Sequence, residues 1–543
     1  MSAPIIDPVK LDTPGAQAIG FSVAERYNAS SILFDNLDKG NAERVALTGP
    51  HGERTYAELC AQASQIGNAL KAFGAAPRER IICLLDDTPD YPAAIFGAMR
   101  AGFVPVLLNT QSPPDLIQFY AQDSGSRLAF VDHSLFAKLG SHCFAAAGIS
   151  LLVLCGTAEA PTEGDLACVT LFDFCAGCAT TLAAADTHRD DMAFWMYSSG
   201  STGRPKGVVH LHHDMLYTAE SYARHILELE PNDICFSVPK LFFAYGFGNS
   251  CTFSFHAGAA AVLMPGRPEA AAVFETVKRF KPTVFFGLPT LYTALVKDAT
   301  AKDADFSSVR LCLSAAEILA AEIFNAWRDR FGLEIVEGLG STEVLHIYLS
   351  NTKEAKRLGS AGRPVPGYEI KLATLDGTAE TDSDGVLMVR GTSSAPCYWN
   401  RPDKTAETMR GDWIWTGDRF DRDADGFFFF RGRADDLIKI SGQWVYPLEV
   451  ELCLADHPLV RECAVLGIEL PDRRMTLKAF VALADGVLEA PKTTAALQDF
   501  VKARLLPYKY PRHVEYLSDL PKTGTGKIDR QALKCRPFGD ILA

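Results

Sequence analysis

The sequence contains no run of about 18 or more apolar residues, the length a membrane-spanning helix needs. Its longest apolar stretches, such as Ala257–Pro265, have the size of a buried strand. Met1–Gly20 lacks a basic segment followed by an apolar one, so no secretory leader is expected. Positive charge is scarce: 53 Lys and Arg stand against 66 Asp and Glu, a formal net charge of −13. Nucleic acid is therefore not an expected partner, since it is usually met by a basic face, and no membrane partner is expected either. An anionic ligand stays admissible where a site gathers its own positive charge. The 14 cysteines are scattered, and the one close pair, Cys175 and Cys178, has no second pair or histidines beside it. That spacing does not describe a metal cage; it fits small buried hydrophobes in a reducing, cytoplasmic setting. Internal repeats and low-complexity segments are absent.

What is present is an ordinary globular composition, 48% hydrophobic and 22% charged over 543 residues. A chain this long exceeds one core, so a large domain and at least one smaller one are expected. The first third alternates helical and strand patterns. Leu59, Ala63, Ile66 and Leu70 recur at helical spacing and predict a helix over Tyr56–Phe73. A strand at Arg80–Leu85, a helix at Tyr91–Ala101 and a strand at Val104–Leu108 follow, the signature of a helix-covered parallel sheet. Phe194–Tyr197 reads as a strand feeding a Gly/Ser/Thr loop. After Gly362 turn signals crowd together (Asp376-Gly377, Asp384-Gly385, Asp425-Gly426) around short strands such as Val386–Arg390 and Phe427–Arg431. This predicts an antiparallel β-region closing the large domain. A smaller α/β unit follows, with helices at Pro447–Ala455 and Thr493–Leu505, strands at Glu462–Gly467 and near Lys478–Ala484, and a boundary at Arg433–Asp436.

Four segments carry chemistry. Tyr197-Ser-Ser-Gly-Ser-Thr-Gly-Arg-Pro-Lys206-Gly207 combines glycines that admit close backbone approach, hydroxyls at Ser201 and Thr202, and the Lys206 charge. It reads as a polyphosphate-binding loop, without the Walker A spacing. Gly338-Leu-Gly-Ser-Thr-Glu343 sets a carboxylate after a hydroxyl-rich turn, where it could hold Mg²⁺ against phosphates or be a solvated side chain. Trp413-Ile-Trp-Thr-Gly-Asp418 and Phe430-Arg-Gly-Arg433 offer a carboxylate for a ribose diol and a guanidinium for ribose or phosphate, or else a surface Arg–Asp pair on a turn. Leu520-Pro-Lys-Thr-Gly-Thr-Gly-Lys527 places one lysine on a Gly-rich loop, able to reach a distant cleft or to be a mobile basic tail. His210, His212 and His213 beside Asp214 match no familiar metal spacing, and Asp214 fits a helix cap equally well.

Taken together, in this order and spacing, the segments resemble the adenylate-forming superfamily of acyl-CoA synthetases, peptide-synthetase adenylation domains and luciferases, from about Asn28 to Lys534. Lys240-Leu-Phe-Phe-Ala-Tyr245-Gly-Phe-Gly-Asn249 and Gly340-Ser-Thr-Glu-Val-Leu-His346-Ile-Tyr-Leu-Ser-Asn351 are most similar to the benzoate–CoA ligase branch, hydroxybenzoate ligases included. The resemblance implies an α/β fold: residues 1–434 as a large domain of mixed sheets covered by helices with a β-barrel-like subdomain, and residues 435–543 as a small mobile α+β lid. It implies ATP, Mg²⁺ and coenzyme A as cofactors or co-substrates and a small aromatic acid as substrate. Ser198, Ser199, Gly200, Ser201, Thr202, Gly203 and Lys206 would hold the β- and γ-phosphates, Glu343 the metal, and Thr342 the α-phosphate. Ala315, Ala316 and Glu317 would line adenine, with Leu339 where many relatives carry a stacking aromatic. Asp418 and Arg433 would bind ribose, Lys527 would catalyse adenylation, and Asp435 matches the hinge. Ala244, Tyr245, Gly246, His346 and Ile347 are the expected acid pocket. Lys527 also sits in a context resembling that acetylated by lysine acetyltransferases in bacterial relatives. The sequence leaves a homodimer open. Transfer to a carrier protein is the alternative to free CoA; no appended carrier domain is seen. A non-catalytic binder would not need Lys206, Glu343, Asp418, Arg433 and Lys527 together.

Overall fold

The computed structural model describes residues 11–162, 166–198, 204–317, 319–436, 438–440, 443–470, 475–522 and 528–536. The chain divides into two compact units, residues 1–370 with 389–415 and residues 371–388 with 416–543.

The first unit is built on two sheets. One has seven strands among the described residues, in the order Ala167–Thr170, Leu151–Cys155, Leu128–Asp132, Arg80–Leu84, Val104–Leu107, Met192–Ser198, Lys206–Leu211. It is parallel up to its last pair, which is antiparallel and registers Ser198 with Lys206. The expected phosphate loop is thus the connection of an edge hairpin. The other sheet has a parallel core in the order Ile335–Gly340, Leu311–Ser314, Val284–Gly287, Ile234–Ser237, Ala260–Val262, Val45–Thr48. Its strand Ile234–Ser237 lies between a later strand on each side, so the strand order reverses there. Such switch points open a crevice beyond the carboxyl ends of the strands. The segment Lys240–Asn249 leaves the sheet at this point.

The predicted helix after Thr55 runs over Tyr56–Ala72. Thr55 and Glu58 form a reciprocal capping box, which satisfies two of the otherwise unpaired backbone donors at its start. It crosses the helix Asp90–Arg100 closely: a Cβ on Gly97 would lie 2.4 Å from the Ala63 carbonyl oxygen. Around these helices one core gathers Leu47 and Ala261 from one sheet and Ile81, Phe130 and Phe194 from the other. Burial on both faces explains why these strands read as continuous apolar runs.

The strands Trp413–Arg422, of which residues from 416 on belong to the second unit, and Phe428–Arg433 pair antiparallel and register Asp418 with Arg433. They belong to a six-stranded sheet, the expected β-rich region. Beyond it, helices Pro447–Ala455 and Pro491–Lys502 pack on a sheet of Val460–Glu469, Met475–Leu483 and His513–Tyr516. The second helix starts earlier than its predicted Thr493, because proline is tolerated in a first helical turn. The expected boundary at 434/435 falls inside this unit, since the β-hairpin ending at Arg433 packs with the helix that starts at Pro447. No helix of the described residues is long and apolar enough to cross a membrane.

Candidate active site

In the first unit Ser198 and Lys206 stand opposite each other at the hairpin mouth. The segment 397–399 lies along the same hairpin: Trp399 N–H donates to the Gly207 carbonyl at 2.7 Å, and Val209 N–H donates to the Cys397 carbonyl at 3.2 Å. This pairing seats Tyr398 under Lys206, whose ammonium lies 4.2 Å from the ring centroid. The Tyr398 hydroxyl donates to Glu343 Oε1 at 2.8 Å, and the Ser198 hydroxyl donates to the same oxygen at 3.3 Å. One tyrosine therefore links the loop lysine to the carboxylate. Among the described residues nothing bonds Glu343 Oε2, which leaves a hard oxygen of the kind Mg²⁺ prefers. Mg²⁺ is usually held by one or two carboxylates plus substrate phosphates, so this carboxylate fits that ion.

Ser314 pairs with Glu337 across adjacent parallel strands, which brings Ala315–Glu317 beside Gly338–Glu343. Glu337 Oε1 accepts from Leu319 N–H at 3.1 Å and ties the two loops. Burial pushes its carboxyl up to about 7. Ala316 has φ +74° and Leu345 φ +71°, left-handed conformations that non-glycine residues adopt at a cost of roughly 1–3 kcal/mol. Both stand in segments expected to line the site. The Ser314 and Ser341 hydroxyls are buried without a partner among the described residues.

Of the residues expected to line the acid pocket, Tyr245 and His346 meet near the sheet's switch point. Ala244, Tyr245 and Gly246 lie in the short helix Ala244–Phe247. His346 and Ile347 come from the end of the turn after Glu343 and the strand that follows it. The Tyr245 and His346 rings lie 5.5 Å apart, and His346 Nε2 donates to the Tyr245 carbonyl at 3.4 Å. Burial lowers the His346 pKa to about 3, so the ring is neutral, and its Nδ1 has no partner among the described residues. Gly246 is there because of backbone crowding: a Cβ would lie 2.1 Å from the Lys240 carbonyl oxygen and 2.3 Å from that of Pro239.

In the second unit Arg433 Nη1 meets Asp418 Oδ1 at 3.1 Å and donates to the Thr416 carbonyl at 2.8 Å. Gly417 has φ +73°, and a Cβ there would lie 2.6 Å from Arg433 Nη2. The pair is thus built to stay in place, beyond a chance surface contact. Ser199, Gly200, Ser201, Thr202, Gly203 and Lys527 lie outside the described residues.

The histidine cluster is engaged elsewhere. His212 Nδ1 accepts from Ala29 N–H at 3.1 Å, while His210 and His213 bond backbone carbonyls. Asp214 accepts from Leu211 N–H, the helix-cap role. Among the described residues no group of three or more His, Cys, Asp or Glu is arranged to hold a metal ion. Sequence reasoning missed Tyr398 and Glu337. Tyr398 is 192 positions from Lys206, and no local motif marks it; only the pairing of its segment with the hairpin does.

Residues 34–399 match the family of AMP-binding enzymes, and residues 449–527 match the AMP-binding enzyme C-terminal domain. The chain is 40% identical to a benzoate–CoA ligase of Thauera aromatica, over 94% of this chain and 96% of that one. It is 39% identical to a 4-hydroxybenzoate–CoA/benzoate–CoA ligase of Rhodopseudomonas palustris, over 95% of each. The crystal structure of an anthranilate CoA ligase in complex with anthranoyl-AMP superposes with a TM-score of 0.87 at 37% identity, covering 94% of this chain and 97% of that one.

Proposed function

The chain belongs to the family of AMP-binding enzymes, and from that premise we propose that it is an AMP-forming aryl-acid–CoA ligase acting on benzoate or a hydroxy- or amino-substituted benzoate. A carboxylate is a poor acyl donor because its leaving group would be an oxide. Attack of the carboxylate on the α-phosphate of ATP expels pyrophosphate and gives an aroyl-adenylate. The CoA thiol then displaces AMP. The observation that carries this reading is the bridge at Tyr398, which sets an ammonium for phosphates and a carboxylate for a cation in one place. Mg²⁺ held at Glu343 would neutralise phosphate charge when bound. Ser198 and Tyr398 hold the carboxylate that would receive it, and Lys206 faces the phosphates.

In this reading the acid's ring lies against Tyr245 and His346. A neutral histidine is no counter-ion for a carboxylate. With Nε2–H turned to the Tyr245 carbonyl, Nδ1 is an acceptor, which suits a hydroxyl or amino donor on the ring. Asp418 and Arg433 serve the ribose. Lys527 would supply positive charge to the two anions that must react, and loss of such a preorganised charge typically costs about 10²–10³ in rate. Because Lys527 has to leave before the thiol enters, residues 435–543 turn about Asp435 between the two half-reactions. AMP release measured across benzoate, its hydroxy and amino derivatives, cinnamate and short fatty acids tests the substrate class. Turnover confined to the fatty acids would reject it, and product formation with a carrier protein but not with CoA would reject the acceptor.

A further inference from the structure

Behind the Glu343 turn lies a buried polar group that the chemistry above does not use. His210, His213 and Asp214 are almost wholly removed from solvent. His210 Nε2 donates to the Thr342 carbonyl at 2.8 Å, and its Nδ1 meets Asp214 Oδ2 at 2.8 Å. Phe194 stacks on the His210 ring at 5.3 Å. Asp214 Oδ1 lies 3.4 Å from His213 Nε2, and that nitrogen stands 3.2 Å from the Thr392 carbonyl oxygen. Burying three such side chains is costly unless their bonds are made, and an apolar trio would fill the space more cheaply.

The places where these bonds land are informative. Thr342 and Thr392 belong to the two segments that grip Glu343. Ser393 donates its hydroxyl to the Val344 carbonyl at 2.9 Å, Ala395 N–H donates to the Glu343 carbonyl at 2.8 Å, and Tyr398 bonds the carboxylate itself. His210 stands on the strand that begins at Lys206. We propose that His210, backed by Asp214 and His213, is a positioning residue that fixes the Glu343 carboxylate relative to the phosphate hairpin. The inference rests on Glu343 being the ligand for the divalent cation. Groups that hold a metal's ligand typically change its affinity by about 10–100-fold when lost, and His210 holds the backbone just ahead of that ligand.

Two near-isosteres separate the bonds. His210→Gln keeps an amide donor near the depth of Nε2, whereas His210→Asn reaches only the depth of Nδ1 and loses the Thr342 carbonyl. Binding of Mn²⁺–ATP is followed by the Mn²⁺ electron paramagnetic resonance signal, and binding of ATP alone is measured in chelator. For His210→Asn, Mn²⁺–ATP affinity should fall about tenfold or more, with metal-free ATP binding and thioester formation from supplied aroyl-adenylate kept within about twofold. Thioester formation is spared because no polyphosphate remains for the cation once pyrophosphate has left. His210→Gln should recover most of the loss. Ser393→Ala, a smaller change on the opposite grip, should move Mn²⁺–ATP in the same direction. Unchanged Mn²⁺–ATP affinity in His210→Asn and Ser393→Ala overturns the proposal, as does a parallel fall in metal-free ATP binding and thioester formation. If Glu343→Gln itself leaves Mn²⁺–ATP affinity intact, the ligand reading of Glu343 fails with it; if only the Glu343 variant weakens binding, the positioning role fails alone.

Discussion

Tyr398 has two separable uses. Its ring carries the Lys206 ammonium and its hydroxyl holds Glu343. Tyr398→Phe keeps the first and removes the second. A hydrogen bond to a charged group is worth about 1.5–3 kcal/mol, so kcat/KM for pyrophosphate–ATP exchange should fall by roughly 10–100-fold. Thioester formation from supplied aroyl-adenylate should change little. Gly246 makes a different demand, since the atoms a Cβ would strike are backbone and have no rotamer to yield. Gly246→Ala should shift the Ala244–Phe247 helix, raise KM for the acid, and destabilise the protein by about 1–3 kcal/mol. Thermal melting and acid titration measure the two effects. Lys527 is tested by dividing the reaction: Lys527→Ala should abolish adenylation while sparing thioester formation, and equal loss of both would reject its role.

Among elements, the junction between the loop after Leu311–Ser314 and the strand Ile335–Gly340 depends on one buried carboxyl. Glu337 holds Leu319 N–H, and burial raises its pKa from 4.5 to about 7. The unfolded chain releases this proton near pH 4.5 and the folded one near pH 7. Below about pH 4.5 the group costs no stability, and between there and about pH 7 stability declines as pH rises. Glu337→Gln keeps an acceptor for Leu319 and removes the titration. Its melting temperature relative to the parent should therefore be higher at pH 8 than at pH 5. A constant difference across that range would show that Glu337 ionises normally. The neighbouring turns hold Ala316 and Leu345 in left-handed backbone, the local strain often found where a loop must present groups to a ligand.

At the scale of the molecule, the two expected half-reactions call for two arrangements of the same residues. The compact units divide at 370/371, 388/389 and 415/416, whereas the hinge reading puts the turning point at Asp435. These describe different things: one follows packing, the other a backbone torsion that would change during turnover. Asp435→Pro locks φ at that point. It should impair thioester formation more than adenylation, measured as separate half-reactions. A larger loss of adenylation would place the hinge elsewhere.

Much of this protein was legible in the chain. The helix over Tyr56–Ala72, the buried strands and the small α/β unit follow from apolar periodicity, which is a local property. The Gly/Ser/Thr loop before Lys206 and the Lys240–Asn249 motif stood out because each is a short run of residue types for which one chemical use is proposed. Tertiary structure decided what depends on distant partners. It showed where His210, His213 and Asp214 make their bonds, the two histidines on distant backbone carbonyls and Asp214 on the Leu211 N–H, and it brought Tyr398 between Lys206 and Glu343. It also made His346 neutral, because burial, which no local pattern reports, removes the water that would stabilise its charge.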